Sequence, residues 1–226
     1  AIRARIRETL EKGIQIDLST ESCKRLLRRH VNSVMGFAVL YVDIDGSTKM
    51  SRSLPPSKFA TVLQVFSQEM TLLISEYRGY TLKYVGDAVI ALFPGQHDKR
   101  RAISDAIACG KAMLELISGS MNPELVSHAL PELYVKVAVE YGELLSVLYG
   151  KSLERSHVDV IGPAISMASK MLGLAKTGQI MLGQSIFESG GLNESATDSG
   201  IPQTDPDVWT YFDEKTGGHY KVFVLK

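Results

Sequence analysis

The strongest pattern of apolar and polar positions lies between residues 37 and 94. Residues 37–44 are almost all apolar, which predicts a buried strand. Apolar residues then recur at intervals of three and four over residues 55–77, which predicts a helix with one apolar face. Over residues 80–94, two short apolar runs flank Gly86-Asp87, which predicts a hairpin with a tight turn. This segment is therefore expected to fold as a β-α-β-β unit.

Weaker patterns on either side of this unit predict further elements. Helices are expected at 1–12, 20–31, 101–118, 163–175 and 185–189. Strands are expected at 133–150 (as a pair broken at Gly142), 158–162 and 179–183, with a terminal hairpin over 209–226. Loops are expected at 119–124 and, because of its Gly, Ser, Thr, Asp and Pro content, at 190–208.

The composition is that of a globular protein. The chain has 226 residues, of which 45% are hydrophobic, and a formal net charge of zero, so the bulk charge indicates no nucleic-acid or membrane-surface partner. Its two cysteines, Cys23 and Cys109, lie far apart, which favours free thiols in a reducing compartment. No apolar run is long enough to span a bilayer, and no secretory signal begins the chain. We therefore expect a soluble cytoplasmic protein.

Three aspartates lie at the ends of predicted strands. Asp43 and Asp45 come at the end of the first strand, and Asp87 lies in the hairpin turn. If these strands are neighbours in one sheet, Asp43 and Asp87 converge on one point, where two carboxylates suit a hard divalent cation. Either aspartate alone would more often stabilise a turn, so the hypothesis of a metal site depends on the pair. Asp45 is either a turn residue or, if the strand persists, a neighbour of Asp43 on the same face.

The two segments that contain these aspartates resemble the metal-binding motifs of class III nucleotidyl cyclases. VDIDGST, at residues 42–48, is similar to the first motif, and KYVGDAV, at residues 83–89, is similar to the second. The resemblance implies that Asp43, Asp87 and the backbone carbonyl of Ile44 hold two Mg²⁺ or Mn²⁺ ions per site. The implied reaction is attack of the ribose 3′-oxygen on the α-phosphorus of a nucleoside triphosphate, which gives a 3′,5′-cyclic nucleotide and pyrophosphate.

The resemblance extends over residues 36–186 and implies an α+β fold. Its core would be a ferredoxin-like βαββαβ unit with an antiparallel sheet and helices on one face. Residues 1–35 would form an N-terminal helical extension, and residues 36–226 the catalytic domain. Because catalytic sites of this family lie at a dimer interface, the resemblance also implies a homodimer with two equivalent sites.

Lys83 and Asp159 are the candidates for base recognition. In adenine-selective members of the family a lysine lies four residues before the second metal-binding aspartate, as Lys83 does here, and an aspartate begins a D-x-x-G motif, as Asp159 does in DVIG. Lysine donates to a ring-nitrogen acceptor, and aspartate accepts from an exocyclic amine. Adenine and cytosine both offer that edge, and uracil can be read through its carbonyl and ring N–H. The alternative for Lys83 is an exposed strand lysine.

Ser166 and Lys170 occupy the positions where the family usually has Asn and Arg for the ribose and the developing triphosphate charge. They lie four residues apart, so both belong to one face of the predicted helix. Lys170 supplies positive charge without the bidentate fork of arginine, and Ser166 has a shorter reach than asparagine. The backbone of Gly46, Ser47 and Thr48 is a candidate phosphate-binding turn.

The replacement of Asn and Arg indicates a site rebuilt for another base, or a degenerate one. Stand-alone chains of this kind resemble the pyrimidine cyclases of bacterial antiphage (Pycsar) systems, which make cyclic UMP or cyclic CMP for a separate downstream receptor. Aromatic bulk at Phe37 or Tyr84 would then exclude purines. The alternatives are an adenylate cyclase making cyclic AMP, a nucleotide-binding regulatory module without turnover, and a polymerase-like palm domain, which the neutral charge disfavours. Lys215 and Lys221 are weaker candidates for binding the triphosphate.

Overall fold

A computed structural model of the chain describes residues 1–189, 209–213 and 217–225. Its helices are α1 (Ile2–Lys12), α2 (Glu21–Arg28), α3 (Ser47–Ser53), α4 (Pro56–Glu76), α5 (Lys99–Leu116), α6 (Asn122–Ser127), α7 (Pro163–Met171) and α8 (Gln184–Glu188). Its strands are β1 (Val34–Ile44), β2 (Tyr80–Val85), β3 (Ala88–Pro94), β4 (Val135–Tyr149), β5 (His157–Ile161), β6 (Ile180–Gly183) and β7 (Val222–Leu225). None of these helices is both long and apolar enough to cross a membrane. The loop predicted at 190–208 and Lys215 lie outside the described residues.

The seven described strands belong to one sheet. Its order is β2-β3-β1-β4-β6-β7, and β5 pairs with the C-terminal end of β4. The first four strands in this order, with α4 and α5 as connections, form the predicted ferredoxin-like βαββαβ core, so the α+β fold class is confirmed. The predicted antiparallel pairing holds for each strand pair except β4 and β6, which are parallel, and the sheet is therefore mixed.

Helices cover both faces of the sheet, and the prediction of helices on one face was wrong. The apolar residues at even positions of β1 pack with α1, α4 and α5, whereas those at odd positions, including Phe37 and Val39, pack with α2 and α7. A strand that is apolar on both sides is buried on both sides. The apolar composition of both faces of β1 therefore already indicated that helices pack on the second face of the sheet as well.

The N-terminal helices belong to these two layers. In α1, Ile6 is fully buried, and Arg5 forms a bidentate ion pair with Glu69 of α4 at 2.9 and 2.6 Å. In α2, Cys23 and Leu27 are fully buried on the opposite face. Both cysteines of the chain are free thiols and buried, as the sequence analysis favoured.

The strand pair predicted at 133–150 is one continuous strand. Every residue of β1 has a partner in β4, so no turn forms at Gly142. This glycine is instead required for close packing, because a Cβ atom on Gly142 would lie 2.7 Å from the Cβ atom of Ala164 in α7. Glycine within a strand marks a close approach as well as a turn, and the sequence pattern does not separate the two.

Two helical segments are absent from the sequence prediction. The loop expected at 119–124 is instead the end of a π-helical turn, Ile117–Met121, followed by α6. The buried side chain of Asn122 stabilises it by donating to the backbone oxygen of Leu133 at 2.9 Å and accepting from its N–H at 2.8 Å. Helix α3 has no buried residue, so it lacks the apolar stripe by which helices are recognised.

The predicted terminal hairpin is present only in part. Phe212 and His219 form an isolated bridge, but β7 pairs with β6 and not with residues 209–213. That segment is fixed to Tyr220 by two hydrogen bonds of 2.8 Å. The indole N–H of Trp209 donates to the backbone oxygen of Tyr220, and the backbone N–H of Tyr220 donates to the backbone oxygen of Tyr211.

A buried carboxyl group joins this end of the chain to the sheet. Glu140 of β4 is 1% exposed, and it accepts hydrogen bonds from the Tyr220 hydroxyl at 2.5 Å and from the Tyr141 N–H at 2.7 Å. Only glycine fits at position 183, because a Cβ atom on Gly183 would overlap the Glu140 carboxyl group. Burial raises the pKa of Glu140 to about 7, against the opposing effect of these hydrogen bonds.

We expect Glu140→Gln to remove a pH dependence of stability. Because the folded-state pKa of Glu140 is about 7 and its ordinary value is 4.5, its contribution to stability is fully present below pH 4.5 and is lost as the pH rises through 7. Relative to the variant, the wild-type free energy of unfolding should fall by on the order of 3 kcal/mol across this window. Chemical denaturation at a series of pH values measures the difference. Glu143→Gln, at an exposed position of the same strand, is the matched control, and identical pH profiles for wild type and Glu140→Gln would contradict the assignment.

Candidate active site

Asp43 and Asp87 come together where β1 meets the β2–β3 hairpin. Asp43 is the last residue but one of β1 and lies opposite Ala88, the first residue of β3. Asp87 directly precedes Ala88 in the turn, where Gly86 has a φ of 63° that favours glycine. Antiparallel pairing therefore places the two carboxyl groups beside each other, at the position that the sequence pattern predicted.

The two carboxyl groups interact electrostatically. Burial raises the pKa of Asp43 to about 6, and both the charge of Asp87 and a hydrogen bond between the two side chains act in the same direction. Lys136, which lies opposite Asp43 on β4, acts in the opposite direction. A close pair of like charges is stabilised by a proton or a bound cation.

This donor set fits a divalent cation that also binds a substrate. Two carboxylates and the backbone carbonyl of Ile44 are hard oxygen ligands. In the part of the chain that the structure describes, no group of three or more His, Cys, Asp or Glu side chains is placed to hold a metal ion. Mg²⁺ is commonly held by one or two carboxylates together with substrate phosphates and water, and Asp43 and Asp87 meet that requirement.

Asp45 does not join the carboxylate pair. Its carboxylate forms an ion pair with Lys136 Nζ at 2.8 Å and accepts a hydrogen bond from the Thr177 hydroxyl. These two hydrogen bonds, that of Lys136 first, lower the pKa of Asp45. Of the two predicted alternatives, Asp45 is thus the turn residue. Its contacts connect the end of β1 to β4 and to the loop before β6.

Lys83 and Asp159 form an ion pair across 76 residues of sequence. Lys83 lies on β2, and Asp159 lies on β5 within the DVIG motif. Their side chains are 37% and 18% exposed, so a ligand can reach both. The Nε2 atom of His157 lies 3.8 Å from the Asp159 carboxylate. The structure therefore brings together the two residues that the resemblance implies for base recognition.

Two neighbouring cavities connect the carboxylate pair to this ion pair. The first, of about 410 Å³, is lined in part by Asp43 and Lys83, and the second, of about 370 Å³, by Lys83, Ser166 and Lys170. The residues common to both are Tyr41, Lys83 and Ser169. A larger cavity of about 640 Å³ opens near the other end of β1, over Glu140, and contains none of the predicted site residues.

Ser166 and Lys170 extend from one face of α7 into the second cavity. Both are exposed. Lys170 lies in the last turn of α7, where a positive charge interacts favourably with the helix dipole, and its Nζ atom is 4.6 Å from the centre of the Tyr211 ring. No sequence signal predicts this contact, because the two residues lie on elements whose packing depends on the whole fold.

Phe37 and Tyr84 do not limit the space for a base, and this prediction was wrong. Phe37 is 1% exposed and packs in the core between the sheet and α2. Tyr84 packs on the opposite face of the sheet from Lys83, and its hydroxyl is hydrogen-bonded to that of Thr71 in α4 at 2.8 Å. Size and aromatic character alone do not show which face of a strand a residue occupies.

Tyr41 and Lys136 are the site residues that the sequence analysis missed. Tyr41 lines both cavities. It lies two residues before Asp43 in the same strand, so its side chain is on the same face, and this alternation was visible in the sequence. Lys136 is recognised only when β4 has been placed beside β1, because its relation to Asp43 is one of strand register.

Gly46, Ser47 and Thr48 form the start of a helix. Gly46 has a left-handed φ of 76°, and α3 begins at Ser47. The N–H of Lys49 donates to the backbone oxygen of Gly46 at 3.0 Å, which closes the first turn. The first N–H groups of a helix have no partner within the helix, so phosphate binding by residues 46–48 stays a prediction.

Sequence comparison relates the chain to known proteins. A family model described as the adenylate and guanylate cyclase catalytic domain matches residues 30–200. A cytidylate cyclase of Escherichia coli is 28% identical over 165 residues, which are 70% of this chain and 36% of that protein. An adenylate cyclase of Anabaena cylindrica is 31% identical over 147 residues, which are 64% of this chain and 28% of that protein. The chain thus spans about a third of the length of these curated relatives.

Solved structures share the fold. The guanylyl cyclase Cya2 is similar with a TM-score of 0.69 and 18% identity, over 86% of this chain and 93% of that chain. The adenylyl cyclase CyaB from P. aeruginosa is similar with a TM-score of 0.69 and 17% identity, over 86% of this chain and 95% of that chain. At these identities the likeness concerns the fold alone.

We expect two substitutions to move the pKa of Asp43 in opposite directions. Asp87→Asn removes a negative charge, so the pKa should fall from about 6 towards 3.8 while burial keeps it above that value. Lys136→Met removes a positive charge, so the pKa should rise. Titration of the metal-free protein with carboxyl-carbon NMR measures both shifts. An Asp43 pKa that neither substitution changes would show that the carboxylates do not interact.

Proposed function

Because this chain belongs to the adenylate and guanylate cyclase catalytic domain family, we propose that it is a pyrimidine nucleotidyl cyclase. It converts CTP or UTP, with CTP favoured, into the 3′,5′-cyclic nucleotide and pyrophosphate. The observation that carries this proposal is that one chain holds both halves of a cyclase site, the Asp43–Asp87 pair and the Lys83–Asp159 ion pair. The carboxylate pair suits a triphosphate with its cations, and the lysine–aspartate pair suits the edge of a base.

The proposed base preference follows from the hydrogen-bonding groups of Lys83 and Asp159. Cytosine has a ring-nitrogen acceptor beside an exocyclic amine, which match the lysine donor and the carboxylate acceptor. Adenine has the same edge on a larger base, so adenylate cyclase activity is the alternative. Tyr41 lines both cavities together with Lys83, so we propose that its ring selects for the smaller base. The Escherichia coli relative is named a cytidylate cyclase and the Anabaena cylindrica relative an adenylate cyclase. The names of these relatives therefore do not choose between cytosine and adenine.

In the proposed reaction the residues of the chain bind, orient and neutralise. Asp43 and Asp87, with the Ile44 carbonyl, would hold two Mg²⁺ or Mn²⁺ ions, and these ions would supply Lewis acidity for the 3′-hydroxyl and positive charge for the triphosphate. Since the pKa of Asp43 is about 6, this carboxyl group is mostly ionised at neutral pH, as cation binding requires. Ser166 hydrogen-bonds the ribose, and Lys170 offsets the charge that grows on the leaving pyrophosphate. Positioning and charge stabilisation supply the rate, without a covalent intermediate.

The proposal includes a homodimer with two equivalent sites. Each site takes the carboxylate pair from one chain and the base and ribose residues from its partner. The β4–β5 hairpin of the single chain exposes apolar side chains, among them Tyr149, Leu153 and Ile161, as expected of a surface that a partner covers. Residues 1–35 are proposed as the N-terminal extension of the catalytic domain, 36–226.

The proposed setting is antiphage defence in the cytoplasm, where nucleoside triphosphates are made. The cyclic pyrimidine nucleotide would act on a separate receptor, and neither nucleic acid nor a membrane would be a partner. This setting rests on the resemblance to pyrimidine cyclases and on the name of the Escherichia coli relative.

The test is product formation from each nucleotide separately. The purified protein is incubated with Mn²⁺ and ATP, GTP, CTP or UTP, and the products are identified by mass spectrometry. We expect cyclic CMP as the main product, and we expect Asp43→Asn and Asp87→Asn each to reduce its formation by about a hundredfold or more. Asp17→Asn, an exposed carboxylate outside the site, should leave the rate unchanged.

Other outcomes select between the alternatives. Cyclic AMP as the main product would replace the pyrimidine assignment by adenylate cyclase activity. Nucleotide binding without product would favour a regulatory module, for which the replacement of Asn and Arg by Ser166 and Lys170 is the specific observation. Undiminished activity in both aspartate variants would overturn the two-metal mechanism.

A further inference from the structure

Helix α7 does not by itself fix the position of its one charged group. That group is Lys170, in the last turn of the helix. Its side chain is exposed and lines the cavity that also contains Lys83 and Ser166. An exposed lysine has a flexible four-carbon stem, so it supplies a charge without a defined place. Something outside α7 must restrict the ammonium group if it is to meet a substrate in one geometry.

The ring of Tyr211 provides this restriction. Lys170 Nζ lies 4.6 Å from the ring centre, within the range of a cation–π interaction. The attraction is between the ammonium charge and the face of the ring, so it does not depend on the tyrosine hydroxyl.

Tyr211 is in turn fixed to the core of the protein. Trp209 is 2% exposed and packs edge-on against the Tyr211 ring, with ring centres 4.7 Å apart. The indole N–H of Trp209 and the backbone oxygen of Tyr211 are both hydrogen-bonded to the backbone of Tyr220 at 2.8 Å. The Tyr220 hydroxyl donates to the buried Glu140 of β4. The ring that contacts Lys170 is therefore held by the central sheet, although it comes from the C-terminal part of the chain.

We propose that Tyr211 is a positioning residue for the cyclisation, and that its ring holds the Lys170 ammonium at the cavity wall where charge develops on the triphosphate. This inference rests on the proposed function, since Lys170 acts on a nucleotide only there. The guanidinium group of arginine is planar and pre-organised. A lysine at the same position needs a contact from another residue to restrict the conformations of its side chain before the reaction. The segment 209–213 supplies that contact.

Three variants separate the ring from the rest of the residue. Tyr211→Leu removes the ring and keeps an apolar side chain that still packs on Trp209. Tyr211→Phe keeps the ring and removes the hydroxyl. Phe212→Leu is the matched control, because Phe212 is an exposed aromatic residue of the same segment whose ring stacks on His219 and not on a lysine.

Steady-state kinetics with CTP and Mn²⁺ measure the effect on turnover. For Tyr211→Leu we expect kcat to fall by roughly three- to thirtyfold, with KM within about twofold of the wild-type value, because the contact matters most where charge develops. Tyr211→Phe and Phe212→Leu should keep kcat within about twofold. The recovery of kcat by the phenylalanine variant distinguishes the ring face from a general packing role.

A second measurement reports the contact without turnover. Reductive methylation with ¹³C adds methyl groups to each lysine and keeps its positive charge, and Lys170→Arg identifies the Lys170 signal by its loss. A methyl group over an aromatic ring is shifted by the ring current, so this signal should be shifted in the wild type and in Tyr211→Phe and unshifted in Tyr211→Leu. The fluorescence of Trp209, the single tryptophan of the chain, shows in each variant whether segment 209–213 stays packed.

Several results would overturn this inference. An unchanged kcat in Tyr211→Leu would show that Lys170 needs no support, and a higher kcat would show that the ring holds Lys170 away from the substrate. An increase in KM alone would place Tyr211 in direct contact with the nucleotide. If the wild-type protein forms no cyclic nucleotide, the proposed function fails and the positioning role is withdrawn with it, whereas an active wild type with normal Tyr211→Leu turnover defeats the positioning role alone.

Discussion

Pairing on both edges of β1 is the constraint on which the remaining features depend. With β3 on one edge and β4 on the other, the strand cannot shift register, and alternate side chains must enter two separate buried layers. One layer receives α1, α4 and α5, and the other receives α2 and α7. Polar groups are left for the C-terminal end of the strand, where Asp43 lies. The same pairing brings the start of β3 and Lys136 of β4 beside that carboxylate.

The parts predicted correctly from the sequence are those that depend on short-range rules. The β-α-β-β unit and the closeness of Asp43 and Asp87 follow from periodicity and turn chemistry, and the pairing of Lys83 with Asp159 follows from motif resemblance. Errors arose where one sequence signal has two structural explanations. Gly142 marks a close approach and not a turn, and the apolar character of both faces of β1 means a second helical cover. Packing partners such as Tyr211 for Lys170 are set by tertiary structure, which local patterns do not encode.

The charges of the site are unevenly balanced. Asp45 is paired with Lys136, Lys83 with Asp159, and Lys170 rests on an aromatic ring. Asp43 and Asp87, by contrast, face each other as like charges, and Lys136 offsets this only in part because it is shared with Asp45. The unfavourable electrostatic energy of the surface is thus concentrated at one point, and a bound cation would relieve it there. This imbalance distinguishes the carboxylate pair from the ordinary ion pairs on the rest of the described surface.

In the free protein the ammonium of Lys83 and the carboxylate of Asp159 satisfy each other. A base that hydrogen-bonds to both groups must first separate them. In the proposed reaction, binding of the base therefore breaks the ion pair between Lys83 and Asp159 and forms two hydrogen bonds to the base. The cost of separation is the same for every base, and it therefore weakens binding without affecting the choice. A base that satisfies only one partner leaves the other charge unpaired in a partly buried place, which is more unfavourable than the loss of a neutral hydrogen bond. Selectivity at this position therefore arises because a base that hydrogen-bonds to only one of the two groups binds less favourably. It does not arise from additional attraction for the correct base.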